Sequence, residues 1–304
     1  MSAARTSTEL GDLEAAAAAA EAFPRALGER VLACRDLVAV GALADSCRRR
    51  LSGTRVTFCR VSMAPGGSAP SSRGAAGEVR VEGRPQSIDE AQAWIRAART
   101  FAGDVPLTAF SLDHLAALSG HDHLALARTA RALREAGLEA VAEAPLDRFD
   151  SSEDLVEVVR AVMHGSLGVW RATVLRAAGG RERLDLVERA AFVQRETGAF
   201  RAFAPLPRED PRATPSTGYD DVRTVAVARL MCPSIPFLQV DWPLYGPKLA
   251  QVALLYGASD LDGIDPFDAA DEGPRRSPRE DVLRQIRSAS SEPAERNGRY
   301  EILR

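Results

Sequence analysis

The sequence predicts an α/β protein: a TIM-like barrel of parallel strands under outer helices, partial or distorted at its first unit. Two observations carry that expectation. Strand-like and helix-like segments alternate six or more times along 304 residues, the pattern of a parallel sheet with helical crossovers. No strand-like segment opens onto a G-x-G-x-x-G turn, which counts against an open dinucleotide-binding sheet. With 45% hydrophobic residues the chain can bury the core such a fold needs.

The elements follow in order. Residues 1–12 are expected to be disordered and 13–54 to form a helical lead-in, with helical patterning over Leu13–Ala22 and Asp36–Leu51. "RVTFCRV" and "EVRVEG" alternate as strands. Ser87, with Glu90 three residues on, has the form of a capping box and starts a helix to Phe101, before the strand "PLTAFS". A helix His123–Ala136 stops at Gly137, and "LEAVAEA" is a strand. Helices Ser152–Met163 and Arg181–Thr197 precede the strands "GVWRATVL" and "FRAFAPL". Past a Pro-rich stretch, "YDDVRTVAVARLM" is a helix, "FLQVDWPL" a strand, and "GPKLAQVALLYGA" a helix with Pro247 in its first turn. The barrel spans 55–268. Residues 269–304 form a polar C-terminal extension with one peripheral helix, "SPREDVLRQIRSAS".

The first unit is irregular. Between Val61 and Glu78 the chain is rich in Gly, Ser and Pro, where a parallel crossover would normally carry a helix. The first crossover helix is expected to be missing.

Composition excludes several classes. A net charge of −3 gives no basic footprint for nucleic acid. No apolar run reaches the roughly 18 residues of a membrane helix, and "LEAAAAAAEAF" lacks the basic start of a signal peptide. Four cysteines form no disulfide framework, so the expected location is the cytoplasm.

From Asp36 onward the chain resembles the radical-SAM enzymes of futalosine-dependent menaquinone synthesis, in particular aminofutalosine synthase and dehypoxanthine futalosine cyclase. Residues 217–263, "TGYDDVRTVAVARLMCPSIPFLQVDWPLYGPKLAQVALLYGASDLDG", carry the strongest likeness, supported by "ETGAFRAFAPL", "LREAGLEAV" and "LVAVGALADSCRRRLSGTRVTF". The resemblance implies a radical-SAM-type barrel with a 4Fe–4S cluster and SAM. It also implies a C-x-x-x-C-x-x-C loop directly after "VTF", because a cubane needs clustered thiolates. Here Cys59 stands alone, and Cys34, Cys47 and Cys232 lie at no ligand spacing. "APLDRFD" replaces the Gly-rich, acidic segment that helps hold SAM, and Asp265 and Asp268 are only loose substitutes for acids beyond the L-D-G motif. Neither cluster nor SAM is expected, and the residues present provide no metal site.

Five residues are the expected substrate contacts. Gln239 and Asp241 share one polar face of their strand, and Trp242 follows at its end, placed to stack on a ring or to plug the barrel. Asp260 and Asp262 match acidic positions of the family's substrate loop, suited to ribose hydroxyls; the alternative is an Asx-turn into the last strand. Cys59 reads as a buried inert thiol, Asp122 as a helix N-cap beside His121 and His123, and Lys248 as a surface lysine.

The expected function is therefore that of a degenerate radical-SAM-like protein without radical chemistry. It would act as a partner or regulator of an active futalosine-pathway enzyme, or bind a nucleoside-type small molecule. The alternative is an enzyme of the same pathway, an aminofutalosine synthase-like transferase with non-radical chemistry.

Overall fold

The structure, a computed structural model, describes residues 22–66, 68, 72–176, 179–209, 217–268 and 278–303. The helix expected over Leu13–Ala22 and the disorder expected for 1–12 lie outside them, save Ala22, which is not helical. Eight parallel strands close into a barrel: β1 (Arg55–Pro65), β2 (Glu78–Glu82), β3 (Leu107–Ser111), β4 (Ala140–Pro145), β5 (Arg171–Val174), β6 (Ala202–Pro207), β7 (Phe237–Asp241) and β8 (Asp260–Ile264). Closure comes from β1, which pairs with β8 on one edge and with β2 on the other. The expected TIM-like parallel barrel is the observed fold.

The helices around it are α1 (Arg25–Ala33), α2 (Leu37–Ser52), α3 (Ile88–Ala102), α4 (Leu112–Leu118), α5 (His123–Glu135), α6 (Ser152–His164), α7 (Gly180–Thr197), α8 (Gly218–Met231), α9 (Trp242–Leu254) and α10 (Pro278–Ser288). Their starts follow local chemistry. Ser87 accepts from the Glu90 amide and Glu90 reaches back to the Gln86 amide, while Asp122, Ser151 and Thr217 cap α5, α6 and α8 through their side chains. α8 is buried on nearly every side, which explains why "DVRTVAVARLM" shows so little polar face.

Among the described residues, 66–77 hold no helix between β1 and β2. Register explains how so short a link suffices. Val61 pairs with Glu78 and Pro65 with Glu82, so the chain descends by only four residues of strand, about 13 Å, before β2 begins. β1 itself runs to Pro65, four residues beyond the alternation that marked it.

Three boundaries differ from expectation. The strand of "FLQVDWPL" ends at Asp241, whose carboxylate caps α9 by accepting from the Leu244 amide, so Trp242 opens a helix instead of ending a strand. α9 then kinks at Gly246 (φ 71°), and Pro247 starts the turn after the kink. The C-terminal extension carries the expected helix, α10, but also a ninth strand, β9 (Glu292–Glu295). It pairs with Arg55–Phe58 of β1 on the edge that β2 uses higher up.

Candidate functional site in the barrel interior and mouth

Side chains alternate along a strand, so each barrel strand sends every second residue inward. Here much of that interior is charged. β2 points Glu78 and Arg80 inward, β5 points Arg171, β7 points Gln239 and Asp241, and β8 points Asp260 and Asp262. All seven are buried. Arg296, just past β9, enters from the extension and is fully buried as well.

These groups form one lattice. Arg296 grips Asp260 with two bonds, Nε to Oδ1 at 2.6 Å and Nη2 to Oδ2 at 2.7 Å, and reaches Asp262 at 3.3 Å. Thr57 donates to Asp260 at 2.6 Å and Gln239 Nε2 donates to it at 2.7 Å. Asp262 also accepts from Arg80 at 2.9 Å and Arg171 at 2.5 Å. Glu78 accepts from Arg80 at 2.9 Å and from Thr108 at 2.6 Å. Three guanidiniums thus face three carboxylates in a buried interior, which such charges tolerate only when paired and hydrogen-bonded. Burial alone would raise the Asp262 carboxyl, but Arg80, Arg171 and Arg296 outweigh it and hold that group far below the usual carboxylate range.

A bulge aims Asp262. Phe58 pairs with Leu261 but Arg60 with Ile264, so Asp262 and Gly263 together stand opposite Cys59. Gly263 sits at φ 76°, where an L side chain is strained. A Cβ there would also lie 3.0 Å from Pro243 Cδ. That is the physical role of the glycine in "DLDG".

Above the lattice, at the C-terminal ends of the strands, a cavity of about 340 Å³ opens, lined by Arg80, Phe110, His114, Glu143, Arg171 and Arg208 among others. Barrel active sites lie at this end. Arg208 donates to Asp241 at 2.7 Å and sits 3.2 Å from Glu143. Burial would lower its pKa, but Asp241 and Glu143 raise it on balance. Phe110, at φ 60°, holds a backbone conformation costly for a bulky residue and packs its ring against Trp94.

Of the five expected substrate contacts, Gln239, Asp241, Asp260 and Asp262 come together inside the barrel. Trp242 packs half-buried against the hydrophobic core at the start of α9. Asp260 and Asp262 are strand residues of β8, not members of a loop or an Asx-turn, and arginines engage both. The residues that sequence reasoning passed over are Glu78, Arg80, Glu143, Arg171, Arg208 and Arg296. A signal existed for two of them: in "EVRVE" the valines face one way and Glu78 and Arg80 the other.

The cysteines do not fit a cubane. Cys59 lies mid-strand and fully buried, at the level of Asp262 and below the barrel mouth; burial pushes its thiol well up. Cys47 bonds to the Arg229 carbonyl and Cys232 to the Val187 carbonyl, both in the helical layer, and Cys34 ends α1. No three thiolates converge. Ligand atoms of Cys59, Glu78 and Asp262 do lie within 4.8 Å of one another, but Arg80, Arg171, Arg296 and Thr108 already bind the two carboxylates. In "APLDRFD", Asp147 is occupied within the chain, accepting from the amides of Leu175 and Arg176 at 2.9 Å each. Among the described residues no helix is long and apolar enough to cross a membrane.

No protein-family model matches the chain. It is similar to aminodeoxyfutalosine synthase from Streptomyces coelicolor, at 39% identity over 145 residues, 41% of this chain and 38% of that protein. The Thermus thermophilus aminodeoxyfutalosine synthase is 32% identical over 203 residues, 57% of this chain and 54% of that protein. The chain thus spans about half the length of these curated relatives or less. Methylornithine synthase (PylB) shares its fold, with a TM-score of 0.65 at 14% identity, covering 93% of this chain and 97% of that one.

Proposed function

For this relative of the aminodeoxyfutalosine synthases, a futalosine-pathway-like chain on a radical-SAM-type barrel, we propose a binding role without radical chemistry: the mouth cavity takes a nucleoside-type small molecule. The observation that carries the reading is the interior itself. Where the resemblance calls for three cluster thiolates, one inert Cys59 faces a neutral lattice of arginines and carboxylates. Without an electron-delivering cluster, reductive cleavage of SAM has no source of electrons. Above the lattice the cavity keeps an aromatic face at Phe110 and polar groups at Arg171, Glu143 and Arg208, a combination suited to a ring bearing hydroxyls.

Two measurements test this. Anaerobic reconstitution with iron and sulfide should leave the protein colourless, and a broad brown absorbance with bound iron overturns the non-radical reading. Thermal-shift titration with futalosine, aminofutalosine, adenosine and SAM should raise the midpoint for at least one nucleoside. Midpoints unmoved by all of them remove the nucleoside reading and favour a role as partner of an active pathway enzyme.

A further inference from the structure

We propose a second binding site, at the N-terminal end of the barrel opposite the mouth, for a small amphipathic anion: a single carboxylate on an apolar body, with Arg55 as its charge partner. It is independent of the nucleoside reading.

A cavity of about 380 Å³ opens at that end. The end of α2, the first residues of β1 and β7, the residue before β8 and the C-terminal extension surround it. Its walls are apolar: Pro233 and Pro236 of the α8–β7 link, the half-buried ring of Phe237, and Leu51 and Ile302, which are 44% and 45% exposed. Apolar side chains from three separate segments, left open to water around one hollow, suit a hydrocarbon or aryl group. A parallel barrel keeps its chemistry at the other end, so this hollow binds without reacting.

The polar groups of the hollow are donors in want of an acceptor. Arg55 opens β1 on the same parity as Thr57, which reaches inward to Asp260. Its exposed guanidinium has no ion-pair partner among the described residues. Glu292 stands beside it in register on β9, yet no ion pair joins the two. Ser259 is 1% exposed, and its hydroxyl accepts twice, from Arg229 Nη2 at 2.9 Å and from the Leu238 amide at 3.1 Å. Both lone pairs are used, so the capacity left is its own proton, which has no acceptor among the described residues.

Behind Ser259 lies a buried cation. Arg229 donates to the carbonyls of Gly257 and Ile235 and to the Ser259 hydroxyl, and to no carboxylate among the described residues. Burial lowers its pKa to about 10, so it keeps its charge at neutral pH. Asp260, next along the chain, is already engaged by Arg296, Thr57 and Gln239. A carboxylate in the hollow would accept from Arg55 and from the Ser259 proton, and would answer a buried cation that has no carboxylate of its own. One exposed guanidinium and one hydroxyl match a single carboxylate. A phosphate dianion has more acceptors than that and brings a second charge toward Glu292.

Calorimetric titration of the full chain with octanoate tests the site, with acetate and octan-1-ol as probes of each half alone. Octanoate should bind saturably and about tenfold or more tightly than acetate, because several methylenes leave water. Arg55→Gln should weaken octanoate by about threefold or more and leave octan-1-ol unchanged, the scale of one partly exposed ion pair. Ile302→Glu, which puts a carboxylate on the apolar wall, should weaken both. It serves if Arg55→Gln fails to fold, with folding read by circular dichroism. Absence of saturable octanoate binding overturns the inference. So does an octanoate affinity unmoved in the folded variants, which would place the anion elsewhere. An equal loss of octanoate and octan-1-ol in Arg55→Gln overturns it too, because Arg55 would then act on the shape of the hollow and not on the charge.

Discussion

Arg296, contributed by the C-terminal extension, holds both oxygens of Asp260 on the last barrel strand, at 2.6 and 2.7 Å, with both side chains fully buried. The guanidinium also lies 4.1 Å from the ring centroid of Tyr300. β9 makes this possible: it pairs with the lower half of β1, and the Arg296 amide bonds to the Phe58 carbonyl, which delivers the arginine into the barrel. The extension completes the barrel interior.

Removing that arginine should be costly. Arg296→Met leaves Asp260 buried with only the neutral donors Thr57 and Gln239, and breaking a buried ion pair from one side costs about 3–5 kcal/mol. Urea unfolding followed by circular dichroism reads the loss directly. A double variant, Arg296→Met with Asp260→Asn, should recover part of it, because the stranded charge is gone. A single-variant loss below about 1 kcal/mol would mean that the pair contributes little.

Acid should act through the same lattice. The Asp262 carboxyl titrates lower in the folded chain than in the unfolded one, where it lies near about 3.9. Below that value the unfolded state binds the proton and the folded state resists it. The stability from Asp262 is therefore complete above about pH 4 and lost as pH falls further, at about 1.4 kcal/mol per pH unit for this one group. Unfolding midpoints measured from pH 6 down to pH 2 should fall steeply only at the acid end. In Asp262→Asn the acid-end slope should be shallower.

The barrel was legible because helix caps and strand alternation are local. Ser87, Asp122 and Pro247 mark their turns without help from distant residues. The polar face of Gln239 and Asp241 was visible for the same reason, whereas Asp260 and Asp262 were marked only by the family resemblance. Among their arginine partners only Arg80 had a local mark, the alternation of "EVRVE"; otherwise an arginine reads as a solvated side chain until closure places it opposite a carboxylate. β9 is the extreme case. "EPAE" has two acids and a proline, no intrinsic strand character, and becomes a strand only because β1 offers a free edge. Helix α4, seven residues long, was too short for its period to register, and Trp242 was placed on the wrong element because the capping role of Asp241 ends β7 one residue earlier.

Thiol chemistry should separate the cysteines. Burial pushes the thiols of Cys59 and Cys232 up, Cys232 to about 12, and Cys47 is buried as well, whereas Cys34 is partly exposed at the end of α1. Treating the native chain with iodoacetamide at pH 8 should label Cys34 alone, and all four should react in guanidinium chloride. Peptide mapping that finds Cys59 labelled in the native state would contradict a sealed barrel interior and reopen that residue as a ligand.

The bulge at Gly263 gives the last prediction. Its φ of 76° and the 3.0 Å approach of Pro243 together leave no room for a side chain without moving the turn into α9. Gly263→Ala should therefore cost about 1–3 kcal/mol through backbone strain and crowding. The damage should also reach the site. Asp262 stands in the bulge beside Gly263 and Asp241 is the residue that caps α9, so a shift there moves both carboxylates relative to Arg80, Arg171 and Arg208. Thermal unfolding measures the first effect and nucleoside titration the second. Loss of stability with unchanged ligand affinity would show that the bulge only closes the strand. Weakened binding in a variant that remains folded would show that it also sets the geometry of the cavity floor.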